Sequence, residues 1–254
     1  MLARSSSAFE TARTCLPPYL IDTTPPLPPH SLPTPRKLKN SYDDNGGTCV
    51  AVAGADYAIV AASTRMASGF SILTRKSTKM CAVSPKVVVA SAGFAGDAAT
   101  LHKVLKSRDA AFRHAHGGPM SVVALAQLLS NTLYHKRFFP YFTFNLAVGL
   151  DADGKGAVYA YDAVGSYERT GYSCQGTGKD LIQPVLDNQL KADSPLLVPA
   201  RESVTAMPAE RALDLVKAAF VAAGERDIYT GDAVEILVIT AGGIERHELE
   251  LKKD

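Results

Sequence analysis

A chain of 254 residues, 46% of them hydrophobic, can bury a sizeable core as one large domain or two small ones. Its 27 Lys and Arg against 25 Asp and Glu leave a net charge of +2, which excludes the concentrated basic charge that makes nucleic acid or an anionic membrane the default partner. The four cysteines, Cys15, Cys49, Cys81 and Cys174, form no CxxC pair, so neither a zinc site nor a disulfide framework is indicated and reduced intracellular thiols are the simpler reading. No apolar run approaches the length of a membrane helix and the N-terminus lacks the apolar core of a secretory signal, so a soluble protein is expected.

In chain order, eight of the 15 prolines fall within the first 36 residues, where neither helix nor central strand can be sustained. Residues 1–44 read as a proline-rich, flexible leader or N-terminal arm. "MLARSSSAFETAR" is Ser- and Arg-rich like a mitochondrial transit peptide, but Glu10 and the following prolines favour a plain extension. From Thr48 the pattern becomes regular. "TCVAVA" and "YAIVAAS" flank a "GAD" turn, and "FSILTR", "KMCAV" and "KVVVASAG" supply further short β-prone runs. Ala98, Leu101, Leu105 and Phe112 recur at helical spacing between Asp97 and Phe112, and "SVVALAQLLSNTLYHKRF" repeats the period with Ser121 as N-cap. "YFTFNLAVGLD" and "GAVYAYD" enclose the turn "ADGK" as a hairpin. "GKDLIQPVLDNQ" and "PAERALDLVKAAFVAAG" read as a second helical pair, and "AVEILVIT" and "IERHELEL" as closing strands. Strands and helix pairs in this alternation predict one α+β domain over residues 45–254, with two facing sheets and helices outside both.

Most motifs with chemical potential dissolve on inspection. "DADGKG" has Asp151, Asp153 and Gly156 at EF-hand positions, but Lys155 takes a ligand position, Asp162 stands where a bidentate Glu belongs, and the flanks read as strands, so a hairpin turn is expected. "GTGK", Gly176 to Lys179, lacks the first glycine of a phosphate loop and a Ser or Thr after the lysine. His114 and His116 point to different helix faces and His102 has no obvious carboxylate companion, so no metal or other cofactor is expected. "HKRFFPYF" mixes base and aromatic in a way that suits a protein interface better than a stacked single strand.

What remains is "NGGTCVAVAGADYAIVAASTR", residues Asn45 to Arg65. An N-terminal Thr can be a complete nucleophile, its own freed α-amine serving as base, with a nearby lysine lowering the barrier. Thr48 could fill that role after cleavage behind Gly47, or be only the first residue of a strand.

Over residues 45–254 the chain resembles 20S proteasome beta subunits, and within them the beta-6 class. The resemblance rests on "NGGT", "YAIVAASTR", "GFSILTRKSTK", "SAGFAGD", "LYHKRFFPY", "GLDADGKGAVYAYDAVGSYER", "IQPVLDNQ" and "ERDIYTGDA", in order and at family-like spacing. It implies the N-terminal nucleophile hydrolase fold, a four-layer αββα sandwich. Counted back from Arg65 and from Lys79, the family's nucleophile position falls on Gly47, so Thr48 is one residue too late and its side chain turns to the opposite face of the strand. The resemblance marks the other vestigial positions as Ser63, in place of an Asp that the beta-6 class usually keeps, Lys79, Thr177, Asp227 and Thr230; Lys179 replaces a second Ser. It further implies a non-catalytic structural subunit of a beta ring, in the cytoplasm and nucleus. Its partners would be other alpha and beta subunits in a particle of roughly 28 chains, with regulatory particles touching it indirectly, and neither nucleic acid nor membrane bound. Asp151 would belong to one wall of a chymotrypsin-like neighbour's substrate channel. The competing reading is an active threonine endopeptidase using Thr48.

Overall fold

The computed structural model describes residues 42–190 and 204–254; the reading of the proline-rich stretch before Tyr42 lies outside them. In chain order the elements are β1 (Thr48–Ala53), β2 (Tyr57–Ser63), β3 (Met66–Ser68), β4 (Ser71–Thr74), β5 (Met80–Ser84), β6 (Val87–Gly93), α1 (Ala95–His116), α2 (Val122–Tyr134), β7 (Thr143–Leu150), β8 (Gly156–Tyr161), β9 (Tyr167–Thr170), β10 (Tyr172–Gly176), α3 (Lys179–Leu190), α4 (Ala209–Gly224), β11 (Ala233–Thr240) and β12 (Gly243–Glu250). Two five-stranded antiparallel sheets form, ordered β10-β1-β2-β11-β12 and β5-β6-β7-β8-β9, with β3 and β4 as a separate ribbon.

Alternation along each strand decides the layering. Val50, Val52, Ile59 and Ala61 pack against α3 and α4, whereas Cys49, Ala51, Ala58 and Val60 face the second sheet. On that sheet Val87 and Val89 turn to α1 and α2, while Val88, Ala90 and Ala92 meet the first. A strand buried on both faces needs apolar residues at every position, and this is why "TCVAVA" and "YAIVAAS" read as continuous hydrophobic runs rather than alternating ones. The small alanines on the shared inner faces let the sheets approach closely. The result is the four-layer αββα sandwich expected.

Local expectations differ from the structure at particular places. Ser121 does cap α2, its hydroxyl accepting from the Ala124 amide at 3.2 Å. That helix stops at Tyr134 instead of running on to Phe138, and residues 135–139 continue as tight turns, because residues 134–139 are exposed and no packed apolar face supports a further helical turn. β9 and β10 were not anticipated. Both are sheet edges with half-exposed, polar residues such as "YERT", and Gly171 between them carries the chain from one sheet to the other.

Candidate functional site

Several of the sequence-derived positions converge at the start of β1. Gly47 is buried with φ +89°, and a β-carbon there would lie 2.3 Å from Lys79 Cε, 2.8 Å from its Nζ and 3.1 Å from Ser63 Oγ. Position 47 therefore faces the lysine, as the count along the chain requires. Lys79 is 8% exposed and its ammonium donates to the carbonyls of Ser63 at 2.7 Å and Arg65 at 2.5 Å. Burial draws its pKa down to about 8, against the opposing influence of Cys49 and Asp232.

Thr48 points the other way. Its backbone N–H donates to Ser63 Oγ at 3.1 Å, but its hydroxyl is fully buried and takes part in a chain of polar groups on the opposite side. The Gly178 amide donates to Thr48 Oγ1 at 2.9 Å, and Thr48 Oγ1 meets Thr230 Oγ1 at 2.7 Å. Thr230 donates to Asp227 Oδ2 at 2.6 Å, and Thr177 donates to the same oxygen at 2.7 Å. Because Thr230 commits its proton to Asp227, Thr48 is the donor in the hydroxyl pair. Asp227 Oδ1 is occupied by the Tyr229 amide. Gly47, Ser63 and Lys79 thus form one group, and Thr177, Asp227 and Thr230 another bridged to it by Thr48. Lys179 is exposed at the start of α3 and belongs to neither.

Three features here escaped sequence reasoning. Arg65 served only as a counting anchor, yet its buried guanidinium donates to both Asp232 oxygens, at 2.9 and 3.2 Å, and to the Ile228 carbonyl. Arg75 also pairs with Asp232. Burial pushes the Asp232 carboxyl up, but the hydrogen bonds and charges of Arg65 and Arg75 outweigh it and hold the group below the usual carboxylate range. Second, a cavity of about 640 Å³ opens beside Lys79, walled in part by Asn45, Cys81, Ser91, His102 and Lys106. His102 Nε2 lies 2.9 Å from Ser91 Oγ. Asn145 Nδ2 donates to Thr143, so its Oδ1 accepts from Ser91 and the Ser91 oxygen accepts from His102 Nε2–H. Burial and then Lys106 draw the His102 pKa down to about 4. Third, Asn45 is only 6% exposed; its Nδ2 donates to the Ala67 carbonyl at 3.0 Å and its Oδ1 accepts from the Ala95 amide, at the start of α1, at 2.8 Å.

Asp151 stands apart, in the β7–β8 turn. Its Oδ1 accepts from the amides of Asp153 and Lys155 at 3.0 Å each, and its Oδ2 accepts from Arg169 at 2.7 Å. The "DADGKG" stretch is the hairpin turn expected from it, and among the described residues no group of His, Cys, Asp or Glu could hold a metal ion. "GTGK" is the junction of β10 and α3, its amides and hydroxyl used internally. His114 and His116 sit exposed in the last turn of α1. In "HKRFFPYF", Phe138 is 97% and Phe139 62% exposed, with the Arg137 guanidinium over the Tyr134 and Phe138 rings. Cys49, Cys81 and Cys174 are free and buried. Among the described residues no helix is long and apolar enough to cross a membrane.

Comparison with known proteins supplies the context for this geometry. The family model described as "Proteasome subunit" matches residues 43–239. The chain is 59% identical over 213 residues to "Proteasome subunit beta type-1" of Oryza sativa subsp. japonica, covering 84% of this chain and 96% of that protein. It is 55% identical over the same length to "Proteasome subunit beta type-1" of Arabidopsis thaliana, with the same coverages. It is 37% identical over 220 residues to "Proteasome subunit beta type-6" of Saccharomyces cerevisiae, covering 85% and 91%. The αββα sandwich, the lysine-facing position at the start of its first strand and these relatives converge: the chain belongs to the proteasome subunit family, in its beta type.

Proposed function

We propose that this chain is a non-catalytic structural subunit of a 20S core beta ring, supporting assembly with alpha and beta neighbours, lining the proteolytic chamber and shaping a neighbouring active subunit's substrate channel. One observation carries the reading. The position that faces Lys79 is a glycine, and the first threonine hydroxyl lies on the other side of the strand, bonded to Gly178 and Thr230. Threonine catalysis needs the hydroxyl, the freed α-amine and the lysine within hydrogen-bond reach of one another. Cleavage after Gly47 would free the Thr48 amine but leave its hydroxyl turned away from Lys79, and Ser63 in place of a carboxylate leaves that lysine without a partner charge. Assembly of this kind has the chain working in the cytoplasm and nucleus, with regulatory particles acting on it through its neighbours.

The test is covalent labelling of purified particles with an inhibitor that bonds both the hydroxyl and the α-amine of an N-terminal Thr. This chain stays unlabelled while active neighbours are modified. An adduct located at Thr48 by peptide mass spectrometry overturns the reading, and migration of the native chain near its monomer mass in size-exclusion chromatography overturns the assembly.

A further inference from the structure

Protonated, the Lys79 side chain has three N–H groups and meets two acceptors. Nζ donates to the Ser63 carbonyl at 2.7 Å and to the Arg65 carbonyl at 2.5 Å, and among the described residues it has no further hydrogen bond and no carboxylate partner. A buried ammonium in this setting is incompletely compensated. The free base fits the same place fully, with one hydrogen for each carbonyl and a lone pair committed to nothing. Glycine at position 47 permits the placement, since a β-carbon there would stand 2.3 Å from Lys79 Cε and 2.8 Å from Nζ. Burial draws the Lys79 pKa down to about 8, so roughly a tenth of the amine is free base near pH 7, against well under a thousandth for an ordinary lysine.

The amine also borders a space that can hold a ligand. Lys79 lines the cavity of about 640 Å³, and the charges on its wall are uneven: Lys79, Lys106 and Arg246 stand against the single carboxylate of Glu235. Glu235 is already occupied, by Arg246 at 3.4 Å and by the Thr78 hydroxyl at 2.8 Å. Lys106, exposed on α1, makes no ion pair among the described residues. Burial keeps the other two ionisable groups of the wall uncharged, the Cys81 thiol by pushing its pKa up and His102 by drawing its pKa down to about 4.

We propose that Lys79 is a carbonyl-capturing amine, and that the cavity beside it takes small aldehydes carrying an anionic group, bonded to Lys79 and attracted by Lys106. The lone pair of Nζ attacks the aldehyde carbon and a C–N bond forms. One amine hydrogen and one proton from solvent then leave with the aldehyde oxygen as water, giving a protonated imine that keeps one N–H for a backbone carbonyl. The anionic end of the ligand answers the surplus positive charge of the wall. The reaction uses neither a hydroxyl at position 47 nor a freed α-amine. It rests on the non-catalytic reading only in needing glycine at the lysine-facing position, and the two fail separately: an inhibitor adduct on Thr48 sinks that reading, whereas an unreactive Lys79 sinks this one.

The experiment uses assembled particles whose active neighbours have been blocked by inhibitor. They are exposed at pH 7 to succinic semialdehyde or to butanal, its uncharged counterpart, the imines are trapped with cyanoborohydride, and the alkylated lysines are quantified by peptide mass spectrometry. Lys79 is expected to react at least about tenfold faster than exposed lysines of this chain such as Lys86 and Lys103, and about threefold or more faster with succinic semialdehyde than with butanal. Lys106→Gln brings the two aldehydes to similar rates at Lys79 while butanal capture is retained. The rate at Lys79 climbs with pH and levels off above about 8, whereas the exposed lysines go on rising. Capture at Lys79 no faster than at Lys86 and Lys103 overturns the proposal, and equal rates with the two aldehydes in the native chain overturn the choice of an anionic ligand.

Discussion

Adding one methyl group at Gly47 tests whether this position addresses Lys79. Gly47 holds φ +89°, a backbone region that costs an L-residue roughly 1–2 kcal/mol. The new β-carbon would stand 2.3 Å from Lys79 Cε and 2.8 Å from Nζ, so the lysine must swing away from the Ser63 and Arg65 carbonyls it now holds at 2.7 and 2.5 Å. Loss of a hydrogen bond to a charged group costs about 1.5–3 kcal/mol, and Gly47→Ala is expected to destabilise the chain by about 3–5 kcal/mol in all. In a Lys79→Ala background the clash is gone and only the backbone strain of about 1–2 kcal/mol remains, giving a coupling of about 2 kcal/mol between the sites. The assay is denaturant titration of purified particles carrying each single and the double variant, with release of this subunit read by native mass spectrometry. A Gly47→Ala cost that is the same with and without the Lys79 side chain refutes the geometry.

Thr48→Val keeps the shape but leaves the Gly178 amide without its acceptor, which should cost about 1–3 kcal/mol in the same titration while every peptidase activity of the particle is preserved; Thr48→Ser should stay near the native value. Asp232→Asn tolerates the φ of +68°, but it removes the charge facing Arg65 and Arg75 and puts an amide donor where one oxygen accepted from a guanidinium, so a loss of about 3–5 kcal/mol is expected at neutral pH. The sign follows from the depressed carboxyl: its contribution is present above the unfolded value of about 3.9 and is lost as pH falls through the lower folded value, so the acid limb of the stability curve should be shallower in Asp232→Asn than in the native chain. Asp151→Ala is expected to shift the apparent affinity of chymotrypsin-like substrates several-fold without altering caspase-like and trypsin-like activities; unchanged peptide kinetics at all three confine Asp151 to its turn and to Arg169.

Much of the architecture was legible along the chain because it is written in local periodicity. The two-residue alternation hidden in "TCVAVA" and "KVVVASAG", the helical spacing of Leu101 and Leu105 and the Ser121 cap all act over a few residues, and hydrophobic burial follows them directly. The opposed faces of Gly47 and Thr48 were legible for the same reason, since strand geometry turns neighbouring side chains to opposite sides. Edge strands such as β9 were not, because half-exposed positions place little demand on residue type. Tertiary structure alone decided the partners. The Arg65–Asp232 pair spans 167 positions, the Thr48–Thr230 pair 182, and the capping of α1 by Asn45 spans 50. No local rule connects such residues. A buried polar group must find a partner wherever the fold brings one within about 3 Å, and only the packing of the two sheets and their helices determines which one that is.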